Sequence, residues 1–156
     1  MTWTIETVRE APVAPADVFQ LYADPSTWSA WGHAAQWARI DGPFVEGATV
    51  DVKADYGRIY HCLISQLVAG RALVLVVKPP LMTVIQTYVV EPSPGGSRIR
   101  HALEISGPLA GPTRLLGLPR AYQRRLDKEV AKVIEMARHR APTDPSLRPL
   151  TAPPPS

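Results

Sequence analysis

Hydrophobic and polar positions alternate through most of this chain and switch to a helical rhythm near its end. From Thr2 to Glu10, Trp3, Ile5 and Thr7 share one side and Thr4, Glu6 and Val8 the other, the period of a half-buried strand. Pro12 and Pro15 close that strand. Ala16 to Ala23 then reads as a short helix with Val18, Phe19 and Tyr22 inward. Asp24-Pro25 starts a second, because Asp caps free N–H groups and Pro fits a first turn. It carries Trp28 and ends near Trp31-Gly32. Six further strands are expected at Ala35 to Ile40, Thr49 to Ala54, Arg58 to Leu67, Leu73 to Lys78, Met82 to Glu91 and Arg98 to Ser106. Turn residues separate them, most plainly Pro92-Ser93-Pro94-Gly95-Gly96.

The rhythm changes in Pro119 to Arg140. Tyr122, Leu126, Val130, Val133 and Ala137 step by three or four, which sets one apolar stripe on a helix. Arg120, Arg124, Arg125, Lys128, Lys132 and Arg138, with Glu129 and Glu135, fall on the opposite side. A helix of roughly 22 residues is about 33 Å long, enough to cross a small sheet. The expected fold is α+β: a curved antiparallel sheet of about seven strands wrapped around one long C-terminal helix, with two short helices after strand one.

Composition adds limits. At 156 residues with 46% hydrophobic content, the chain fits one domain with a sizeable core, expected to span residues 1–140. Residues 141–156 hold six prolines and read as an extended, Pro-rich disordered tail. A lone cysteine, Cys62, excludes an internal disulfide framework and a Cys-based zinc site. With no charged-then-apolar leader and no apolar run of membrane-spanning length, the expectation is a cytoplasmic protein without integral membrane contact. The net charge of +3 gathers on and just before the last helix. It reads first as a solvated helix face, and without interleaved aromatics it argues against nucleic acid.

The element order, together with the segments Ala11-Pro12-Val13-Ala14-Pro15-Ala16-Asp17-Val18-Phe19, Asp24-Pro25-Ser26-Thr27-Trp28-Ser29-Ala30-Trp31, Pro43-Phe44-Val45-Glu46-Gly47 and Gly95-Gly96-Ser97-Arg98-Ile99, resembles the START-like, or SRPBCC, helix-grip superfamily. Within it the chain looks most like the polyketide cyclase/dehydrase branch, over about residues 3 to 140. The resemblance implies a deep, mainly apolar cavity between sheet and long helix. It says little about chemistry, because one fold hosts cyclases, dehydratases, carriers and receptors.

Alternate residues of each strand would line such a cavity. In the strand from Arg58, the set Ile59, His61, Leu63, Ser65 and Leu67 has more aliphatic weight than Arg58, Tyr60, Cys62, Ile64 and Gln66, which points His61 inward. In the last strand Ile99, His101, Leu103 and Ile105 face the interior. The strand from Met82 is open in parity: either Thr83, Ile85, Thr87 and Val89 point inward, or Val84, Gln86, Tyr88 and Val90 do. A bulge in the two-glycine hairpin would decide. Ile59, Leu63, Ile99 and Leu103 from the sheet, with Leu126 and Val130 from the helix, are therefore expected ligand contacts. Trp31, His33 and Trp37 are expected at the rim, where the family has its cavity entrance.

Neutral imidazoles in an apolar site would suit enolisation and aldol-type closure of a poly-β-ketone, making His101 and His61 the candidate catalysts and Tyr88 a third. The plainer alternative is a satisfied core histidine, and no inward carboxylate is evident behind either ring. His33, His61, His101 and His139 lie on separate elements without ligand spacing, so neither metal nor cofactor is expected. Three functions follow: a cyclase or dehydratase acting on a hydrophobic molecule, a non-catalytic carrier or sensor of one, and an interaction protein using the basic helix face and proline tail. A monomer or homodimer would serve each.

Overall fold

A computed structural model describes residues 1–32 and 35–140. His33 and the segment 141–156, expected at the cavity rim and as a tail respectively, lie outside the described residues. The order of elements is β1 (Thr2–Ala11), α1 (Pro15–Ala23), a 3-10 turn (Pro25–Thr27), α2 (Trp28–Trp31), β2 (Ala35–Ile40), β3 (Thr49–Ala54), β4 (Ile59–Val68), β5 (Ala72–Val77), β6 (Thr83–Ser93), β7 (Gly96–Ser106), α3 (Ala110–Leu115) and α4 (Leu118–Arg140). Seven antiparallel strands form one sheet in the order β1-β7-β6-β5-β4-β3-β2. Every neighbouring pair except β1–β7 is consecutive in sequence. The two helices after β1 carry the chain to the far edge, and the strands then return one by one until β7 pairs with β1.

The long helix α4 lies across the inner face and is fastened to β1. Thr7 donates to Asp127 Oδ1 at 2.5 Å, and Gln123 Nε2 donates to Thr7 Oγ1 at 2.8 Å. The Trp3 indole N–H reaches the Ala110 carbonyl at 3.0 Å, which ties α3 to the same strand. Leu126, Val130, Val133 and Ala137 are all buried, so the apolar stripe of the sequence is the packed face of the helix. Ile134 joins them.

Two strands carry irregularities that change which side chains face in. In β4 the register against β5 shifts between Ile64 and Gln66. Cys62 pairs with Val50 and Tyr60 with Val52, so Tyr60, Cys62 and Ile64 face the interior. Beyond the shift, Leu67 faces in as well and packs on the core. The expectation for His61, Ile59 and Leu63 is thereby reversed: all three are exposed on the outer face of the sheet. Leu67, whose aliphatic weight had favoured their set, belongs with them only if the strand is regular. In β2 the register shifts between Ala35 and Trp37, and Trp37 turns outward. There it stacks under the Arg39 guanidinium at 4.3 Å and takes no place at the rim.

The β6–β7 hairpin is regular from Thr83↔Ser106 to Ser93↔Gly96, with Pro94 and Gly95 alone forming the loop. Unbroken register makes Tyr88 the partner of His101, which settles the parity in favour of Val84, Gln86, Tyr88 and Val90. Gly96 sits at φ +143°, and a Cβ there would lie 2.9 Å from both Pro12 Cα and Val13 N. The hairpin end therefore rests directly on the backbone leaving β1. Gly96→Ala should cost about 3 kcal/mol from left-handed strain and overpacking and lower the melting temperature by about 10 °C. Thermal unfolding followed by circular dichroism checks this; an unchanged melting temperature would mean the hairpin end has room to move.

Candidate functional site

Between the inner sheet face and α4 lies a cavity of about 240 Å³. Its wall is mostly apolar, with Val52, Leu75, Val77, Val84, Leu103 and Ile105 from the strands and Trp28 and Trp31 from the short helix. Polar groups enter at a few points: Gln86 and Tyr88 from β6, Tyr60 and Cys62 from β4, and Tyr122, Arg125 and Glu129 from one side of α4. Tyr56 and Arg125 are exposed as well as lining, which sets the mouth between the β3–β4 turn and the first half of α4.

Behind the wall runs a buried hydrogen-bond chain. His101 is completely buried. Its Nδ1 lies 2.8 Å from Glu129 Oε1 and its Nε2 lies 2.8 Å from the Tyr22 hydroxyl. Burial, reinforced by the Glu129 charge, pushes the Tyr22 phenol well above its ordinary pKa, so the phenol keeps its proton. A buried phenol must give that proton to an acceptor, and Nε2 is the atom in reach. The ring nitrogen that bears hydrogen is then Nδ1, which donates to the Glu129 carboxylate. Three elements are joined by this chain: α1 through Tyr22, β7 through His101 and α4 through Glu129.

An aromatic enclosure fixes the imidazole. Tyr88 meets it edge to face with centroids 4.8 Å apart, Tyr22 at 5.4 Å and Trp31 at 6.0 Å. The Tyr88 phenol is also held well above its usual range, first by burial and then by the charge of Glu129. Its hydroxyl donates to Gln86 Oε1 at 3.3 Å. Burial likewise pushes the Cys62 thiol up to about 12, which keeps it a neutral wall group.

Of the candidates read from sequence, Trp31, Tyr88 and Leu103 are on the cavity wall. Ile99, Leu126 and Val130 are in the packed core. His101 stands behind the wall with both ring nitrogens engaged. His61 is on the opposite face of the sheet, hydrogen-bonded to Asp51 at 2.6 Å in solvent. The expectation that no inward carboxylate backs a histidine is overturned by Glu129, which is buried between His101 and the cavity. A signal for it exists in the sequence: Tyr122, Leu126, Glu129, Val133 and Ala137 also step by three or four, so Glu129 belongs to the edge of the apolar stripe. Tyr22 faces inward as its helix pattern predicts, but no sequence signal links its hydroxyl to His101, 79 positions away in the chain.

A curved sheet gripping a long helix over an apolar cavity defines a helix-grip ligand-binding protein. The sequence model of the polyketide cyclase/dehydrase and lipid transport family matches residues 2–137, and the chain belongs to that family. No curated protein matches it in sequence. Among solved structures it is similar to protein MLL2253 from Mesorhizobium loti, with a TM-score of 0.69 and 17% identity over 90% of this chain and 100% of that one. Protein SA2116 from Staphylococcus aureus gives 0.72 at 10% identity, covering 90% and 96%. BexL, a di-domain ARO/CYC from the BE-7585A biosynthetic pathway, gives 0.66 at 13%, covering 92% of this chain and 51% of that one. At these identities the structures share the fold. Among the described residues, no three His, Cys, Asp or Glu side chains gather as a metal site would need, and no helix is long and apolar enough to cross a membrane.

His101 and Glu129 should depend on each other. His101→Leu removes one hydrogen-bond donor from a buried carboxylate and should cost about 3 kcal/mol, whereas His101→Leu with Glu129→Leu should be no less stable than His101→Leu alone. Urea unfolding of the two single variants and the double variant measures the coupling. Additive losses would show that the pair is not a unit.

Proposed function

We propose that this protein binds a hydrophobic, ring-forming or aromatic small molecule in the cavity and moves a proton on it, with Glu129 as the acid–base group. The observation that carries the reading is the Glu129 carboxylate, buried on the wall of a mainly apolar cavity and hydrogen-bonded to a fully buried histidine. His101 becomes a positioning residue in this scheme, because both ring nitrogens are already engaged. The family and the likeness to BexL and to StfQ, an ARO/CYC from the steffimycin biosynthetic pathway, support a polyketide-like ligand. A volume of about 240 Å³ favours a small ring system over a long acyl chain.

In the reaction, Glu129 takes a proton from a methylene flanked by two carbonyl groups. The resulting enolate carbon forms a C–C bond to a third, more distant carbonyl carbon of the same molecule, whose C=O π bond opens, and Glu129 returns the proton to the alkoxide so formed. Glu129 then takes the remaining proton of that carbon and passes it to the new hydroxyl, which leaves as water as the C=C bond forms. Tyr88, a neutral phenol on the wall, would turn its one proton from Gln86, a long contact of 3.3 Å, to a carbonyl oxygen as charge develops. The low-dielectric wall strengthens each of these interactions.

Mass spectrometry of small molecules released from gently purified protein should recover a compound of this class, and incubation should convert it. Glu129→Gln keeps the shape and still accepts from His101, so it should retain the compound while conversion falls at least about 100-fold. A compound held equally by both proteins and converted by neither would make the protein a carrier.

A further inference from the structure

The cavity mouth is bordered by an apolar and basic surface that the site chemistry does not use. Leu115 and Leu116, at the end of α3, are 89% and 80% exposed. Two large aliphatic side chains side by side in water, in a short connection between helices, contribute nothing to the core. A second segment joins them: Leu81 is 63% exposed and is held at φ 62°, an unfavourable backbone conformation for a leucine. The Leu81 carbonyl accepts from Leu109 N–H at 3.2 Å, which fixes this loop beside the start of α3. Met1, also exposed, sets its sulfur near Gly111 within α3.

The segments that carry these side chains hold charge of one sign. From Ile105 to Leu126 the chain contains no Asp or Glu and four arginines, Arg114, Arg120, Arg124 and Arg125. All four are exposed. Lys78 is exposed beside the Leu81 loop, and no acidic residue lies between Arg71 and Val90. The first half of α4 thus carries exposed cations directly after the protruding leucines in the chain. Such a combination matches the boundary of an anionic bilayer, where apolar tips enter the headgroup region and arginines meet lipid phosphates and carboxylates. Pro79, Met82, Tyr122 and Arg125 line the cavity at this same end, so a docked protein would turn its mouth to the lipid.

We infer that this end is a peripheral docking surface for an anionic lipid bilayer, with Leu81, Leu115 and Leu116 as the inserted tips and Arg114, Arg120 and Arg124 as the electrostatic contacts. Docking would let a hydrophobic ligand pass between membrane and cavity with little exposure to water. The inference holds whether the cavity is catalytic or only carries its ligand.

Flotation of the full chain with phosphatidylcholine vesicles, with and without phosphatidylserine, tests it. The protein should float with the anionic vesicles and stay behind with the neutral ones, and binding should fall as salt is raised. Leu115→Ser with Leu116→Ser should lower the partition coefficient at least about tenfold, since solvent-exposed positions can change without unfolding the protein. Arg114→Gln and Arg120→Gln should each weaken binding about fivefold. Ile59→Ser with Leu63→Ser, on the outer face of β4, should bind as the parent does. Equal recovery on neutral vesicles, or full binding by the Leu115/Leu116 variant, would overturn the proposal. So would equal loss in the Ile59/Leu63 control.

Discussion

The structure depends on keeping one ionisable pair out of water. Glu129 and His101 are both buried and hydrogen-bonded to each other, and a carboxylate held in an apolar interior depends on such donors to offset a desolvation cost of several kcal/mol. Their contact requires α4 to cross β7 at one height and one rotation. Tyr22 closes the chain from α1, so the helices after β1 are fixed relative to the same point. Hydrophobic packing of Val130, Val133 and Ala137 supplies most of the attraction between helix and sheet, but it is compatible with small slides along the helix axis. The hydrogen-bond chain is directional and allows far less.

That constraint also explains how a cavity persists beside a packed core. On the α1 side of the Tyr22–His101–Glu129 chain, Val18, Leu21, Ile99 and Val130 are wholly buried around the helix. On the other side, α4 carries Tyr122, Arg125 and Glu129 toward the sheet, and these polar groups do not fill the space opposite Leu75, Val77 and Val84. Tyr60, whose phenol is pushed up to about 12 chiefly by burial and by its hydrogen bond with Tyr56, stands with Tyr56 on the mouth side of that space. An apolar pocket with a carboxylate on its wall is a place where a weakly acidic C–H can be approached without competition from water, which is the physical content of the proposed chemistry.

Most of the fold was legible because it rests on periodicity. The strand from Arg98 and the helix from Pro119 carry clean patterns, and the inward placement of His101 followed from them. Misplacement arose where a single extra residue breaks the period. The shift after Ile64 moved Leu67 to the inner side and left His61, Ile59 and Leu63 outside. The rim expectation for Trp37 rested on the family resemblance, and the shift after Ala35 turns that side chain outward. Alternation alone cannot reveal such a shift, since one residue exchanges the two faces. Glu129 was hidden for another reason: a carboxylate at the edge of an apolar stripe looks like its solvated neighbours until its partner is located. Tyr88 became readable once the hairpin proved to have a loop of only Pro94 and Gly95, which fixed its position opposite His101.

The most direct test is the protonation state of the His101 ring, read from imidazole nitrogen resonances of labelled protein near neutral pH. The account requires a neutral ring with hydrogen on Nδ1, donated to Glu129, and a bare Nε2 accepting from Tyr22, protected from exchange with water. A ring protonated on Nε2 alone, or one exchanging as freely as a surface histidine, would contradict the buried chain on which the proposed site is built.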